Sequence, residues 1–271
     1  MLIKRFNPYH RILHIVMAVS FMGLVLSGMP LKYAHAPWAA WLMKLLGGSL
    51  AAGLIHRICG AITFGYFAAH ITYLFYAIVL VRRLRFNFIG PESMIPRLKD
   101  VADIVNNIKW FLGRGPAPQF DKYTYWEKFD YWAVFWGVGM IGVSGLFLWF
   151  PEFFSRFLPG WSFNIATIIH SDEALLASGF IFTIHFFNTH MRPEKFPLDP
   201  VIFTGSLTLE ELKHERPLEY QRLLEEGRLE ESKASPSPSW VLPVGSLFGF
   251  AMMTLGLFLL VLIFLGQFFY S

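Results

Sequence analysis

Four histidines lie in two pairs within long apolar segments of the chain. His170 and His185 are fifteen residues apart in one segment, and His56 and His70 are fourteen residues apart in another. At 3.6 residues per helical turn, each spacing returns both imidazoles to nearly one face and separates them by about 21–22 Å along the helix axis. Ligating side chains inside a membrane-spanning helix are costly and mark functional sites. Because neutral imidazole is a common axial ligand of haem iron, the spacing indicates two haems at two depths of a membrane.

The composition indicates an integral membrane protein. Of the 271 residues, 55% are hydrophobic and 18% are aromatic, whereas only 15% are charged. Several nearly uncharged segments of about 20 residues are long enough to cross a bilayer. The one cysteine, Cys59, excludes an internal disulfide, a four-thiolate iron–sulfur cluster and a structural zinc site. No Cys-x-x-Cys-His motif occurs, so any haem is a non-covalent b-type haem.

Hydropathy predicts five membrane spans, at residues 10–30, 54–81, 130–150, 164–191 and 240–269. No stretch predicts a β-strand. The predicted fold is therefore an all-α integral membrane protein, with a four-helix transmembrane haem-binding bundle and a fifth C-terminal transmembrane helix. We expect three parts, which are the haem-binding bundle at 1–204, a cytoplasmic polar helix and linker at 205–239, and the last membrane helix at 240–271. The first span resembles a signal peptide, but no small-residue cleavage site follows it, so we expect it to be retained.

The distribution of the 23 Lys and Arg residues predicts the orientation of the spans. Nineteen lie in the N-terminal segment, in the loop between spans two and three, and in the segment between spans four and five. Only Lys32, Lys44, Arg57 and Arg156 lie on the opposite side. Because positive residues accumulate in cytoplasmic loops, we expect a cytoplasmic N-terminus in a bacterial inner membrane. Basic loops beside apolar spans also explain the net charge of +4 without a nucleic-acid partner.

This orientation gives each histidine a depth. Spans two and four both run inward, which puts His56 and His170 near the outer surface and His185 about 22 Å deeper. His56 and His170 are therefore the predicted ligands of an outer haem. For an inner haem, His185 has two competing partners, which are His14 near the cytoplasmic end of span one and His70 on span two. The residues alone leave this choice open.

Roles without haem account less well for these histidines. An interhelical hydrogen bond explains a single intramembrane histidine, but four at these spacings favour haem. A non-haem membrane anchor or a metal or proton transporter is the alternative function, and a transporter would be expected to have broken helices, whereas these spans look continuous. His190 lies about 140° around the helix from His185, so we expect it at the cytoplasmic headgroup level, near a quinone or the haem propionates. His10, His35 and His214 are expected at the surface.

Two segments outside the spans have helical signals of their own. An apolar stripe at about residues 95–113 is flanked by Arg97, Lys99 and Lys109, which predicts an interfacial helix on the cytoplasmic leaflet. A Thr208-x-x-Glu211 capping box predicts the start of the polar helix after span four.

Several short motifs accompany the histidines. They are Arg11-x-x-His14 with Ser27-Gly28, Leu54-Ile55-His56 with Gly60, Ile168-Ile169-His170, Ile184-His185, Gly113, Lys122-Tyr123, Glu127-Lys128, Tyr131-Trp132, Gly145 and Trp149-Phe150-Pro151. In these motifs the chain resembles, over about residues 5–230, the membrane cytochrome b subunit of respiratory formate dehydrogenases and nickel–iron hydrogenases. The string HSDEALLASGFIFTIHFFNTHMRPEKFPLD is similar to cytochromes b that accompany multihaem c-type cytochromes.

The resemblance implies two b haems, one ligated by His56 and His170 and the other by His14 and His185. It also implies electron transfer between a periplasmic redox partner and the membrane quinone pool. That partner is a multihaem c-type cytochrome or an iron–sulfur protein. His70 is additional to the family pattern and offers a pairing more like that of bc-type complexes.

The resemblance further implies a menaquinone or ubiquinone site near the inner haem. On position and resemblance, the candidate contacts are Arg114, Lys122, Glu127 and His190. Thr124 and Glu127 stand where the family often has Asn and Gln. The basic residues of this group also follow the positive-inside rule, which explains each of them individually.

Overall fold

The computed structural model describes residues 1–80 and 89–270, and they are mostly helical. The helices are α1 (Pro8–Lys32), α2 (Pro37–Leu45), α3 (Ser49–Phe75), α4 (Leu98–Phe111), α5 (Tyr125–Gly137), α6 (Val143–Trp149), α7 (Pro151–Phe154), α8 (Trp161–Phe180), α9 (Val201–Thr204), α10 (Leu209–Glu215), α11 (Pro217–Glu225) and α12 (Val241–Phe269). π-Helical segments occupy Tyr76–Leu80, Val138–Gly142, Ile181–His185 and Phe187–Met191. Two short strands are β1 (Leu2–Lys4) and β2 (Ser206–Thr208).

In the described part of the chain, five helical stretches are long and apolar enough to cross a membrane, which confirms the predicted all-α membrane fold. They are Pro8–Lys32, Ser49–Phe75, Tyr125–Trp149, Trp161–Met191 and Val241–Phe269. Span three begins earlier than predicted because Thr124 and Glu127 form a capping box. The Thr124 N–H donates to Glu127 Oε2 at 2.7 Å, and the Glu127 N–H donates to Thr124 Oγ1 at 3.3 Å. The predicted end of span two and the basic residues Arg82, Arg83 and Arg85 lie outside the described residues.

The π-helical segments interrupt spans that the sequence predicted to be continuous. One of them lies between α5 and α6, one ends at His185, and one contains His190. A π turn takes in an extra residue and occurs often at functional sites. Each segment therefore changes the direction of the side chains that follow it, relative to an ideal helix.

The chain forms two compact units, and the first consists of Met1–Arg11, Ile71–Ala133 and Pro200–Gly245. In this unit β1 and β2 pair antiparallel, with Ile3 opposite Leu207. The expectation of no strand is therefore wrong, because three residues are too few to show an alternating pattern. Apolar residues of this ribbon, of α9 and of the polar segment form a small core, made of Ile3, Val201, Leu207, Leu212 and Leu223.

The polar segment of this unit is two short helices, α10 and α11. The predicted capping box at the start of α10 is confirmed, since the Glu211 N–H donates to Thr208 Oγ1 at 3.2 Å and the Thr208 N–H donates to Glu211 Oε2 at 2.7 Å. Arg5, which follows β1, is 3.2 Å from Glu219 of α11 and 3.4 Å from Glu127. Burial opposes the charge on Arg5, but Glu127 and Glu219 outweigh it and raise the pKa of the guanidinium.

Helix α4 packs by its polar face and leaves its apolar face exposed. Asp100 is 2.8 Å from Lys128 Nζ, and Asn107 Nδ2 donates to the Tyr125 hydroxyl at 2.8 Å. Both partners belong to the first turns of span three. The exposed side is apolar and consists of Leu98, Val101, Ile104, Val105, Ile108 and Phe111. A helix packed on a water-soluble protein has the opposite arrangement.

The second unit consists of Ile12–His70, Val134–Asp199 and Ser246–Ser271. Its buried core brings together residues of α1, α12 and the end of span four, among them Met22, Val25, Met29, Phe182, Phe186, Met253 and Leu259. Gly256 allows α12 to approach span four closely. A Cβ atom at Gly256 would lie 2.7 Å from Phe186 Cε2 and 2.8 Å from Phe182 Cδ1. This packing supports the span that carries the histidine pair.

Candidate haem-binding site

His56 of α3 and His170 of α8 lie beside each other. Their ring centres are 6.0 Å apart, and the ring planes make an angle of 68°. A ligating imidazole nitrogen lies about 2 Å from its metal, so two imidazoles on opposite sides of one metal hold their ring centres roughly 6 Å apart. Rotation of either ring about the shared axis changes the plane angle without moving the ligating nitrogen. The separation therefore fits two axial ligands of one iron.

Hydrogen bonds determine which nitrogen of each ring is protonated. His170 Nδ1 is 2.9 Å from the Ile141 carbonyl oxygen, which can only accept, so Nδ1 carries the proton. His56 Nδ1 is 3.0 Å from Ser27 Oγ. The Ser27 hydroxyl donates its own proton to the Gly23 carbonyl at 2.5 Å and therefore accepts from His56. Both rings keep the Nε2 lone pair for a metal, which is the tautomer that such hydrogen bonds select in ligating histidines.

Each of these histidines also lies against a glycine of a neighbouring helix. A Cβ atom at Gly28 would lie 3.1 Å from His56 Cε1, and one at Gly145 would lie 2.9 Å from His170 Cε1. A side chain at either position would displace the imidazole or require the helices to separate. In both helices a serine precedes the glycine, so the same dipeptide supports the two rings.

His14 of α1 and His185 of span four form a second pair. Their ring centres are 6.5 Å apart and their planes make an angle of 36°. The Nδ1 atom of His14 is buried and has no hydrogen-bond partner within residues 1–80 and 89–270. His185 is the last residue of the π segment Ile181–His185. This separation also fits two axial ligands of one iron.

The two candidates that the sequence left open beside His185 lie against different rings. His14 makes the ring contact with His185. The His70 ring instead has its centre 6.2 Å from that of Phe135 in span three. His70 is therefore placed against an aromatic neighbour.

The remaining histidines do not belong to these ring pairs. His35 and His214 are exposed, as predicted. His10 Nδ1 is 2.6 Å from Asn7 Oδ1 at the start of α1. The Asp199 N–H donates to His190 Nδ1 at 3.2 Å, so the neutral His190 ring carries its proton on Nε2. This Nε2–H is a hydrogen-bond donor.

The candidate quinone contacts of the loop before span three have different surroundings. Arg114 and Lys109 line a groove of about 360 Å³, whose lining includes neither Lys122 nor Glu127. Glu127 is 3.0 Å from Arg216 and 3.4 Å from Arg5, within the ion pairs of the first unit. The structure therefore does not gather these candidates in one groove.

Lys122 belongs to an ion-pair cluster around Glu92. Its Nζ is 3.4 Å from Glu92 Oε2, and Arg222 and Arg228 also contact this carboxylate, at 2.8 and 3.1 Å. Burial alone would raise the pKa of Glu92, but Lys122, Arg222 and Arg228 outweigh it and hold the pKa at about 2. Glu92 is therefore ionised at neutral pH, and Lys122 has a structural partner.

A non-haem metal site has less support in the described part of the chain. Within residues 1–80 and 89–270, no group of three or more His, Cys, Asp or Glu side chains is arranged to hold a metal ion. Structural zinc and di-iron sites need such close groups. Imidazoles that lie in pairs fit a metal whose other ligands come from a macrocycle.

Five candidate membrane spans in the described residues and two imidazole pairs, without a c-type attachment motif, define a membrane cytochrome b. The family model of prokaryotic cytochrome b561 matches residues 5–192 of this chain. The chain therefore belongs to the prokaryotic cytochrome b561 family, whose members are multi-pass membrane cytochromes that carry electrons on b-type haem. The matched region includes His14, His56, His170 and His185. No curated protein matches the chain.

Proposed function

We propose that this chain is the membrane cytochrome b subunit of a respiratory complex, of the formate dehydrogenase and nickel–iron hydrogenase type. In this role it transfers electrons between a periplasmic redox partner and the membrane quinone pool through two b-type haems. The observation that supports the proposal is the presence of two imidazole pairs, His56 with His170 at 6.0 Å and His14 with His185 at 6.5 Å.

In this proposal each pair ligates one haem iron through Nε2. A haem held by each pair would supply a one-electron couple, and the two imidazoles would be its protein ligands. The residues of the chain therefore orient the ligands and exclude water. His170 and His185 lie fifteen residues apart on one span, about 22 Å by helical rise, so the two haems lie at different depths. An electron can then cross the bilayer in short steps.

We propose that the chain lies in a bacterial inner membrane with its N-terminus in the cytoplasm. The imbalance of nineteen basic residues against four supports this orientation. It assigns His56 and His170 to the outer haem and His14 and His185 to the inner haem. Helix α4 then lies on the cytoplasmic leaflet, where lipid covers its exposed apolar face.

The external partner is proposed to be a multihaem c-type cytochrome or an iron–sulfur protein. The resemblance of residues 170–199 to cytochromes b that accompany multihaem cytochromes supports the first of these. Asp172, two residues from His170, has a side chain that is 63% exposed although it pairs with Lys32 at 2.7 Å. Glu173 accepts a hydrogen bond from Trp136 Nε1 at 3.1 Å. These two carboxylates are proposed contacts for a basic patch around the partner's cofactor.

A menaquinone or ubiquinone is proposed to bind near His185 and His190. The Nε2–H of His190 can donate to a quinone carbonyl, because its Nδ1 accepts from the Asp199 backbone. Arg114, Lys122 and Glu127 remain candidates through the resemblance. Since Lys122 and Glu127 have ion-pair partners in the fold, we expect their direct contribution to quinone binding to be smaller.

The haem content of the purified chain tests the proposal. We expect pyridine haemochrome quantitation to give two b-type haems per chain, because the chain presents two imidazole pairs. Reduced-minus-oxidised visible spectra should show the corresponding α-bands. A colourless protein would end the proposal, and a single haem per chain would remove its transmembrane route.

A quinone-analogue inhibitor tests the quinone site. In a His56→Ala variant, which should keep only the haem of His14 and His185, we expect the inhibitor to shift the haem spectrum. His190→Gln should weaken the inhibitor's affinity several-fold, and His35→Gln, which alters an exposed histidine, serves as the control. An inhibitor that leaves the spectrum of the remaining haem unchanged contradicts the placement.

A further inference from the structure

We propose that Ser27 is a positioning residue that controls the electron-donating strength of His56, and that Ser144, in the same dipeptide on span three, has no such role toward His170. The proposal rests on the proposed haem ligation by His56 and His170. It adds that the main acceptor at Nδ1 differs between the two ligands of this haem, being a serine hydroxyl for His56 and a backbone carbonyl for His170.

The hydrogen bond of His56 Nδ1 goes to the hydroxyl of Ser27, and the Leu24 backbone is a second partner of this ring. Ser27 lies in α1 and is 0% exposed, so water does not compete for its hydroxyl. The hydroxyl proton is directed to the Gly23 carbonyl at 2.5 Å, with the Leu24 carbonyl at 3.3 Å. Its oxygen lone pair accepts from His56 Nδ1 at 3.0 Å. The helix thus holds Ser27 as an acceptor, which also keeps His56 in the tautomer that presents Nε2.

Ser144 looks equivalent to Ser27 in sequence but differs in its contacts. Its hydroxyl donates to the Met140 carbonyl at 2.6 Å, and its oxygen is 3.5 Å from His170 Nδ1. The stronger acceptor for His170 is the Ile141 carbonyl at 2.9 Å. Ile141 belongs to the π segment Val138–Gly142, in which the backbone hydrogen-bond register differs from that of an α-helix. The π segment therefore supplies to His170 what Ser27 supplies to His56.

The chemical consequence follows from the direction of the hydrogen bond. An acceptor at Nδ1 draws the N–H proton and makes the imidazole a stronger donor at Nε2. A stronger donor stabilises ferric over ferrous iron and lowers the reduction potential of the haem. Loss of the Ser27 oxygen removes its part of this effect from His56 and leaves the Leu24 backbone as the remaining partner of the ring. Loss of the Ser144 oxygen leaves the Ile141 carbonyl in place.

The test compares Ser27→Ala, Ser144→Ala and Ser27→Thr in the full chain by potentiometric titration of the haem α-bands and by low-temperature spectra of ferric haem. We expect Ser27→Ala to keep both haems and to raise the potential of one. The expected change is at most about tenfold in its reduction equilibrium, which is about 59 mV for one electron. Ser144→Ala should leave both potentials unchanged, and Ser27→Thr, which keeps a hydroxyl, should retain the wild-type values.

Each outcome decides the proposal. Loss of one haem in Ser27→Ala, with both retained in Ser144→Ala, would also support the positioning of His56 by Ser27. Equal effects of the two alanine variants, or two haems at unchanged potentials in Ser27→Ala, would overturn it. A wild-type chain without haem would instead refute the proposed function, so the two failures are distinguishable.

Discussion

The His14→Ala variant is expected to hold one haem, against the two that we propose for the wild-type chain. His14 supplies one of the two imidazoles of its pair, and its ring centre is 6.5 Å from that of His185. Alanine would leave the proposed haem iron with a single protein ligand. One imidazole is not expected to hold a non-covalent haem that otherwise has two. The remaining haem, at His56 and His170, should keep its spectrum. Pyridine haemochrome quantitation on the purified variant measures the loss.

The matched control is His70→Ala, which removes an intramembrane histidine from span two. His70 is beside Phe135 and is not the ring partner of His185. We therefore expect this variant to retain both haems. A chain that keeps two haems without His14 but loses one without His70 would reverse the assignment of the inner ligands.

The second large effect is expected from Lys128→Met, which breaks a buried ion pair. The Lys128 side chain is only 2% exposed, and its Nζ contacts both Asp100 carboxylate oxygens, at 2.9 and 2.8 Å. Methionine fills a similar volume but leaves the carboxylate buried without its counter-ion. Breaking such a pair costs about 3–5 kcal/mol, which is a large part of the stability of a typical domain. Thermal or denaturant unfolding in detergent, followed through the haem absorbance, measures this cost.

Two further variants separate the ion pair from general effects of the substitution. The double variant Lys128→Met with Asp100→Leu should recover most of the lost stability, since replacing both buried charges by apolar groups is often neutral. Lys213→Met removes an exposed partner of Glu210 and should change the stability by less than about 1 kcal/mol. If Lys128→Met also lies within about 1 kcal/mol of the wild type, the pair does not hold α4 against span three.

Helix α4 shows which structural features a sequence pattern predicts and which it does not. The apolar stripe of this helix was readable from its spacing, and the observed helix Leu98–Phe111 falls within the predicted segment. The spacing does not say which face is covered by protein. That was decided by Asp100 and Asn107, whose partners Lys128 and Tyr125 follow them by 28 and 18 residues in the chain. Contacts at such separations have no local periodicity that a sequence pattern could show.

The histidines also show which features the sequence predicts and which depend on the tertiary structure. The sequence by itself indicated a membrane protein with b-type haem and predicted two depths for His56, His170 and His185. Hydropathy and helical rise depend only on local composition and residue count. Only the tertiary structure put His14, and not His70, beside His185, since residue count gives depth but not the direction of a side chain around its helix. The π segments alter this direction because their backbone hydrogen-bond register differs from that of an α-helix. The Ile141 carbonyl, which accepts from His170, lies in one of these segments. A backbone carbonyl is present in every residue, so its use as an acceptor is set only when the helices pack.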